Sequence, residues 1–236
     1  MVKEFIALVI GASTILSPTV QQDPAVKAVQ SDTTQVVVRA GEYDGKPGKR
    51  VYVESGYEMP DDIPLHKDEK GYYIQEYDIN VKLANRINEY LKEYGVNAVM
   101  QISKDKSEDL NAAGRKAAAE DPTIYLSVHH NYVDNPNVSG YVWFYNQGDT
   151  KSAEYAKQLT EDLTDNPGSI PAMEARAHDN YIGELMQKPG DINLLLEAGF
   201  FSNVDKDLHL IMSDEQIDYM AKETALGIVD ILNNEQ

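Results

Sequence analysis

Tyr125-Leu-Ser-Val-His129-His130-Asn131 begins as an apolar run rich in β-formers and stops abruptly at two imidazoles and an amide. The pattern reads as a buried strand delivering His129 and His130 to its C-terminal end, the edge where open α/β sheets hold their sites. Histidine is the commonest metal ligand and a frequent acid or base. It also serves structural roles at strand ends, so the flanking segments must decide what this edge does.

Working outward, helical and strand patterns alternate. Residues 78–94 place Ile79, Leu83, Ile87, Tyr90, Leu91 and Tyr94 on one face, and Gly95 follows where a helix ends. The stretch 96–102 reads as a strand, and 107–120 as an alanine-rich helix stopped by Asp121-Pro122. After the histidine strand come Gly140-Tyr-Val-Trp-Phe-Tyr145, an amphipathic helix over 150–163 and a short buried strand, Ile192-Asn-Leu-Leu-Leu-Glu197. A capping box, Ser213-Asp-Glu-Gln216, opens a last helix running to about Leu232. This alternation predicts a single three-layer α/β/α domain with a mostly parallel, twisted sheet. Residues 165–190 show no clear element and stand where they could cover a site.

A chain of 236 residues can bury one good core with a tail to spare. Its 39 acidic against 21 basic residues give a net charge of −18, a field that argues against nucleic acid or an anionic membrane surface as partner. The same charge also serves plain solubility. There is no cysteine, which excludes disulfides, thiolate metal sites and cysteine nucleophiles. Residues 1–17 combine Lys3 with a mostly apolar run from Phe5 to Leu16, too short to span a bilayer and suited to a signal-peptide core or N-terminal anchor. The competing reading is a packed N-terminal segment. Residues 18–49 read as a linker in which Gln35-Val-Val-Val-Arg39 could form an edge strand against Arg50-Val-Tyr-Val-Glu54. Gly41, Gly45, Pro47 and Gly48 mark the turn between those runs. The globular domain is expected over 50–236, as a monomer.

Three residues stand at element ends where chemistry is usually placed. Glu76 opens the first helix, where a carboxylate is also favoured by the helix dipole. His129 closes its strand. Glu197 closes Leu194-Leu-Leu196, where a carboxylate is partly desolvated and costly unless it has a task or a partner. His178 and His209 lie in polar surroundings and read as surface residues. Tyr141, Trp143 and Tyr145 belong to one strand, and any that face outward could stack on sugar rings.

The chain resembles the zinc-dependent N-acetylmuramoyl-L-alanine amidases, the family of bacterial cell-separation amidases and many phage endolysins. Leu194-Leu-Leu-Glu197-Ala-Gly-Phe-Phe-Ser-Asn203 is similar to the family's terminal motif. Ser127-Val-His129-His-Asn131 matches its serine, apolar, histidine, variable, asparagine motif, and Leu110 to Arg115 and Glu76 fall in family order. The resemblance implies peptidoglycan as substrate, outside the cytoplasm or phage-borne, and zinc as cofactor with Glu76 and His129 among its ligands. It further implies a bound water activated by Glu197 against the amide between the lactyl group of muramic acid and L-alanine. Asn131 and Arg115 become candidate substrate-binding residues. A zinc with three protein ligands and an open position acidifies its water and polarises a carbonyl, and a carboxylate beside it takes the proton.

The family's first histidine closes the first strand in a short glycine-flanked motif. The stretch read in that frame is Glu54-Ser55-Gly56-Tyr57, with tyrosine at the ligand position. Three readings follow. Tyr57 ligates as phenolate, or another residue substitutes for it, or the domain is a weak or inactive module that binds wall fragments or a partner. Of the substitutes His66 is the nearer candidate. His130 is disfavoured because adjacent strand residues point to opposite faces.

Overall fold

The computed structural model describes residues 31–41, 49–103, 109–163, 170–178 and 183–235. The expected leader at 1–17 and most of the expected linker lie outside these residues. In chain order the elements are β1 (Val36–Ala40), β2 (Arg50–Val53), β3 (His66–Asp68), β4 (Gly71–Gln75), α1 (Glu76–Glu93), β5 (Ala98–Gln101), α2 (Leu110–Ala118) and β6 (Ile124–Asn131). They continue with β7 (Val142–Asn146), α3 (Thr150–Asp162), β8 (Arg176–His178), α4 (Gly183–Met186), β9 (Ile192–Phe200), α5 (Asp207–Ile211) and α6 (Asp214–Asn234).

Six strands form the main sheet in the order β5-β1-β6-β9-β7-β8, parallel except where β7 runs against β9. The three-layer, mostly parallel α/β architecture is therefore as the sequence predicts. The histidine strand β6 sits inside the sheet between β1 and β9, and helices cover both of its faces. That is why its first seven residues are all buried and why it reads as a near-continuous apolar run. On one face Val36, Val38, Leu126 and Val128 pack with Ile79, Leu83 and Ile87 of α1 and with Ala221, Ala225 and Ile228 of α6. On the other, Val37, Tyr125 and Leu195 pack with Ala117 of α2 and Leu185 of α4.

One expectation is corrected by the topology. The run Val36–Ala40 is no edge strand of a linker and does not pair with Arg50–Val53. It lies between β5 and β6, and all five of its residues are buried. The Arg50–Val53 run instead belongs to a separate antiparallel sheet, β2-β4-β3, whose last strand residue, Gln75, passes directly into α1. The globular unit thus begins well before residue 50.

The edge of the sheet that bears the histidines is fixed by caps and by one buried carboxylate. Asp109 caps α2 through the Ala112 amide, and Ser213 caps α6 through the Gln216 amide, the expected capping-box contact. Gly199 has φ +146°, and a Cβ there would come 2.7 Å from Ile211 and 2.9 Å from Ile170, so the strand end needs glycine on both counts. Asp207, fully buried, accepts from the Ser139 hydroxyl at 2.6 Å and from the Gly140 and Phe200 amides at 3.0 Å each. It therefore ties the end of β9 to the loop that enters β7. Asp207→Ala is expected to lower unfolding free energy by on the order of 3 kcal/mol, because it strands buried donors that now meet a charged acceptor. Urea denaturation reads the loss, and Asp207→Asn should lose less.

Candidate active site

Parallel strands bring their C-terminal ends to one edge, and the register sets His129 of β6 directly beside Glu197 of β9. Glu76 arrives at the same edge because β4 runs without a break into α1, making Glu76 the first helical residue. Its amide donates to the Lys49 carbonyl at 3.3 Å. The fourth member, Glu184 of the short α4, rises from the α2 side of the sheet.

These groups form a buried polar chain. His129 Nδ1 meets Glu76 Oε1 at 3.2 Å, and its Nε2 meets Glu184 Oε1 at 3.1 Å. Glu184 Oε2 accepts from Arg39 Nε at 3.0 Å and from the Tyr125 hydroxyl at 3.1 Å, all within the interior. On the other side, Asn80 lies one helical turn after Glu76. Its Nδ2 donates to Glu76 Oε1 and to the Gly41 carbonyl, both at 3.2 Å. Asn80 Oδ1 is then the acceptor for His130 Nδ1 at 2.8 Å, which fixes His130 as the Nδ1-protonated tautomer. His129 and His130 thus point to opposite sides of β6, as the alternation of a strand requires. Gly41, at the end of β1, lies so close to the His129 ring that a Cβ would come within 2.2 Å of it.

The electrostatics follow from this geometry. Burial opposes a charge on His129, but hydrogen bonds to Glu184 and Glu76 outweigh it and hold the imidazole well above its ordinary pKa. Burial would likewise raise Glu184, yet the His129 hydrogen bond and the charges of His129 and Arg39 bring it down to about 2. Glu76 is lowered for the same reason, the His129 contact winning over burial. Glu197 goes the other way. Burial, with Glu76 and Glu184 adding their repulsion against the pull of His129, pushes it up to about 7. One oxygen of Glu197 and one of Glu76 are buried without a hydrogen-bond partner among the described residues. Neighbouring carboxyls driven in opposite directions are the arrangement that separates acid and base roles.

Other residues singled out in the sequence stand elsewhere. Tyr57 follows a turn after β2, outside the main sheet. Its ring stacks on the exposed His209 and its hydroxyl lies 3.3 Å from His209 Nδ1. His66, on β3, pairs with Asp78 at 2.7 Å and stacks on Tyr73. Neither Tyr57 nor His66 joins Glu76 and His129 in a ligand cluster among the described residues. The strand that closes in a glycine at the site is β1, ending at Gly41, not the run ending at Gly56. In sequence Gly41 is followed by Glu42 and Tyr43, neither a histidine, and both lie outside the described residues. Arg115 is exposed on α2. Asn131 turns its own Oδ1 to the Tyr132 amide at 2.8 Å, and its carbonyl accepts from Phe201 at 3.0 Å. Tyr141 and Trp143 face the core, buried. Arg39 and Glu184 carried no signal as a pair, because only the fold brings residues 145 positions apart together.

Zinc in a protein site needs three protein donors, and a ligating imidazole must offer one nitrogen while donating from the other. Here carboxylates hold both nitrogens of His129. Among the described residues no group of three or more histidines, aspartates or glutamates is placed to hold an ion. The described residues do not fit a resident zinc.

Comparison with known proteins places this geometry in context. The family profile of N-acetylmuramoyl-L-alanine amidase matches residues 65–230, a span that includes Glu76, His129, Glu184 and Glu197 but not Arg39 or Gly41. The germination-specific N-acetylmuramoyl-L-alanine amidase of Bacillus subtilis (strain 168) is 26% identical over 170 residues, covering 66% of this chain and 68% of that protein. Among solved structures, N-acetylmuramoyl-L-alanine amidase AmiC2 of Nostoc punctiforme superposes with a TM-score of 0.64 at 22% identity, covering 87% of this chain and 99% of the other. The N-acetylmuramoyl-L-alanine amidase of Clostridium difficile 630 gives 0.65 at 17% identity, covering 87% and 100%. At such identities the superpositions establish the shared fold.

Two substitutions test the site's construction. Gly41→Ala must displace an imidazole pinned at both nitrogens, so it is expected to cost about 1–3 kcal/mol in unfolding free energy and to shift the His129 ring resonances in NMR. His130 is driven down to about 3 by burial, with His129 adding to the effect and Glu76 opposing it. Above about pH 6.5 it is neutral folded or unfolded, whereas below that only the unfolded chain takes the proton. Its contribution is therefore fully present above about pH 6.5 and lost as pH falls toward 3. Between pH 7 and 5 the wild type should lose roughly 2 kcal/mol more than His130→Asn, read from denaturation midpoints at the two pH values.

Proposed function

Because the chain belongs to the N-acetylmuramoyl-L-alanine amidase family, we propose that it hydrolyses the amide between N-acetylmuramic acid and L-alanine in peptidoglycan. The observation behind this is Glu197. It is a carboxyl raised to about 7, in register beside a charged histidine, with one oxygen that has no hydrogen-bond partner among the described residues, at the edge where parallel strands end. A group with that pKa is near half ionised at neutral pH, the condition for a general base that later returns its proton as an acid.

In the proposed reaction, ionised Glu197 takes a proton from a water whose oxygen bonds to the amide carbon. The tetrahedral species then collapses, the carbon–nitrogen bond breaks, and the same proton passes from Glu197 to the leaving nitrogen of L-alanine. The products are the lactyl carboxylic acid and the free amine of L-alanine, and the acid then gives up its proton at neutral pH. His129, kept charged and fixed by Glu76 and Glu184, favours the ionised form of Glu197 and so sets where its pKa lies. A family zinc bound through His129 would need one of the two nitrogens those carboxylates hold.

The family match and the amidase relatives favour an enzyme over an inactive wall-binding module. Action on peptidoglycan puts the chain in the cell envelope, with residues 1–17 as its export signal or anchor. Among the described residues no helix is long and apolar enough to cross a membrane.

The test is release of N-terminal L-alanine from purified cell walls, followed by amine labelling, with metal content measured on the same preparation. Wild type should release L-alanine, with a rate rising through about pH 7 as Glu197 ionises. Glu197→Gln should be slower by at least about a hundredfold. Equal rates in the two proteins would remove Glu197 from the chemistry. No release by wild type, with or without added zinc, would remove the activity.

A further inference from the structure

The small sheet beside the site presents an aromatic row that the proposed chemistry does not use. Register sets Tyr52 of β2 opposite Tyr73 of β4, and Tyr73 opposite His66 of β3, so the three side chains share one face. Arg50, Gln75 and Asp68 belong to that face as well, while Val51 and Ile74 on the reverse are buried in the core. Tyr52 is 41% exposed, one of two large hydrophobic side chains so exposed among the described residues.

Its exposure is held in place rather than loose. The Tyr52 hydroxyl donates to Asp68 Oδ2 at 3.0 Å, and the same oxygen accepts from Arg50 Nη1 at 2.8 Å. The Arg50 guanidinium lies 4.6 Å from the centre of the Tyr73 ring, and Tyr73 stacks on His66 with centroids 5.3 Å apart and planes at 18°. His66 closes the chain on Asp78 at 2.7 Å, in the first turn of the helix that Glu76 opens. The bracing runs from the exposed ring back to the element that positions the site.

We infer that the Tyr52 face is a docking platform for the sugar backbone of the wall, a neutral polymer of N-acetylated hexosamines, alongside the scissile bond; this rests on peptidoglycan being the substrate. A pyranose presents a face of C–H groups, which packs against the electron-rich face of an aromatic ring. A tyrosine held by its neighbours offers that area with little ordering left to do on binding. Position supports the sugar chain as the occupant. Tyr73 stands on β4 three residues before Glu76, with which α1 opens, so the row lies about 10 Å from the site edge by strand rise, close enough for one polymer to reach both. Charge supports it too. A chain of net charge −18 disfavours an anionic partner, whereas a neutral glycan meets no such barrier.

The experiment measures binding of a soluble N-acetylglucosamine tetramer by calorimetry, and cosedimentation with insoluble walls, for wild type, Tyr52→Ala, Tyr52→Phe and the exposed control Met186→Ala. Tyr52→Ala should weaken tetramer binding about tenfold, the scale of one lost stacking contact. Tyr52→Phe keeps the face and should stay within about threefold of wild type. On walls, Tyr52→Ala should raise KM with little change in kcat. Equal binding by wild type and Tyr52→Ala, or equal loss in the alanine and phenylalanine variants, would overturn the platform. Wild type that binds the tetramer through Tyr52 but releases no L-alanine would sink the amidase reading and leave the platform standing. Release of L-alanine with a Tyr52-independent affinity would do the reverse.

Discussion

His129 held between two carboxylates is the interaction on which the rest of this site depends. An ionised carboxylate without compensation is expensive inside a protein, and here three approach one edge of a sheet. Glu184 is compensated by Arg39 on one oxygen and His129 on the other, and Glu76 by the second nitrogen of the same ring. Two cations and two anions make a balanced set. Glu197 is the third carboxyl, adjacent in register to His129 and in no ion pair among the described residues. Its raised pKa comes first from burial, with the charges of Glu76 and Glu184 adding to it against the pull of His129 and Lys49. A group poised near neutrality arises because burial and two neighbouring carboxylates outweigh that pull.

The fold supplies this balance through strand order. Arg39 can face Glu184 because β1 lies inside the sheet, next to β6, on the side that α2 and α4 cover. Asn80 reaches the other side because α1 starts at the sheet edge, so that one helical turn spans Glu76, the Gly41 carbonyl and His130. Gly41 allows β1 to end against the imidazole with no Cβ between them. Asp207 then fixes the far end of β9, where Gly199 turns the backbone, so that Glu197 is presented from a strand tied at both its neighbours.

Much of this was legible in the sequence, and the failures share one cause. The 3.6-residue pattern from Ile79 to Leu91, the capping box at Ser213 and the apolar run into His129 are local signals, and each gave an element of the right kind. Glu76, His129 and Glu197 could be paired because each stands at the start or within three residues of the end of such an element. What failed was the choice between two short runs, Val36-Val-Val-Arg-Ala40 and Arg50-Val-Tyr-Val53. Both are β-like and both lead to a glycine. Nothing local reveals that the first run is buried, with Glu184 waiting to neutralise Arg39 inside. That error moved the expected ligand frame from Gly41 to Gly56, and so made Tyr57 and His66 candidates for a site they do not reach. Glu184 itself lies in a stretch without periodicity, where no pattern can announce a buried charge.

The boundary of the family match sharpens this point. Residues 65–230 contain Glu184 but not Arg39, so the cation that makes a second buried carboxylate on His129 tolerable comes from outside the matched span. The two are physically inseparable. Without Arg39, Glu184 and Glu76 would share one imidazolium, and burial would drive one of them to keep its proton. That proton would leave a carboxyl facing one ring nitrogen without its charge, and His129 would lose half of what now holds it above its ordinary pKa. The reverse also holds, since Arg39 lies on a strand whose residues are all buried and meets Glu184 at 3.0 Å. Among the described residues, the set around His129 thus departs from a three-donor metal site in a coordinated way. A strand residue near the N-terminal side of the domain and a helix residue near its C-terminal side together favour the charged imidazole. Glu197, beside them, inherits the charge environment that results.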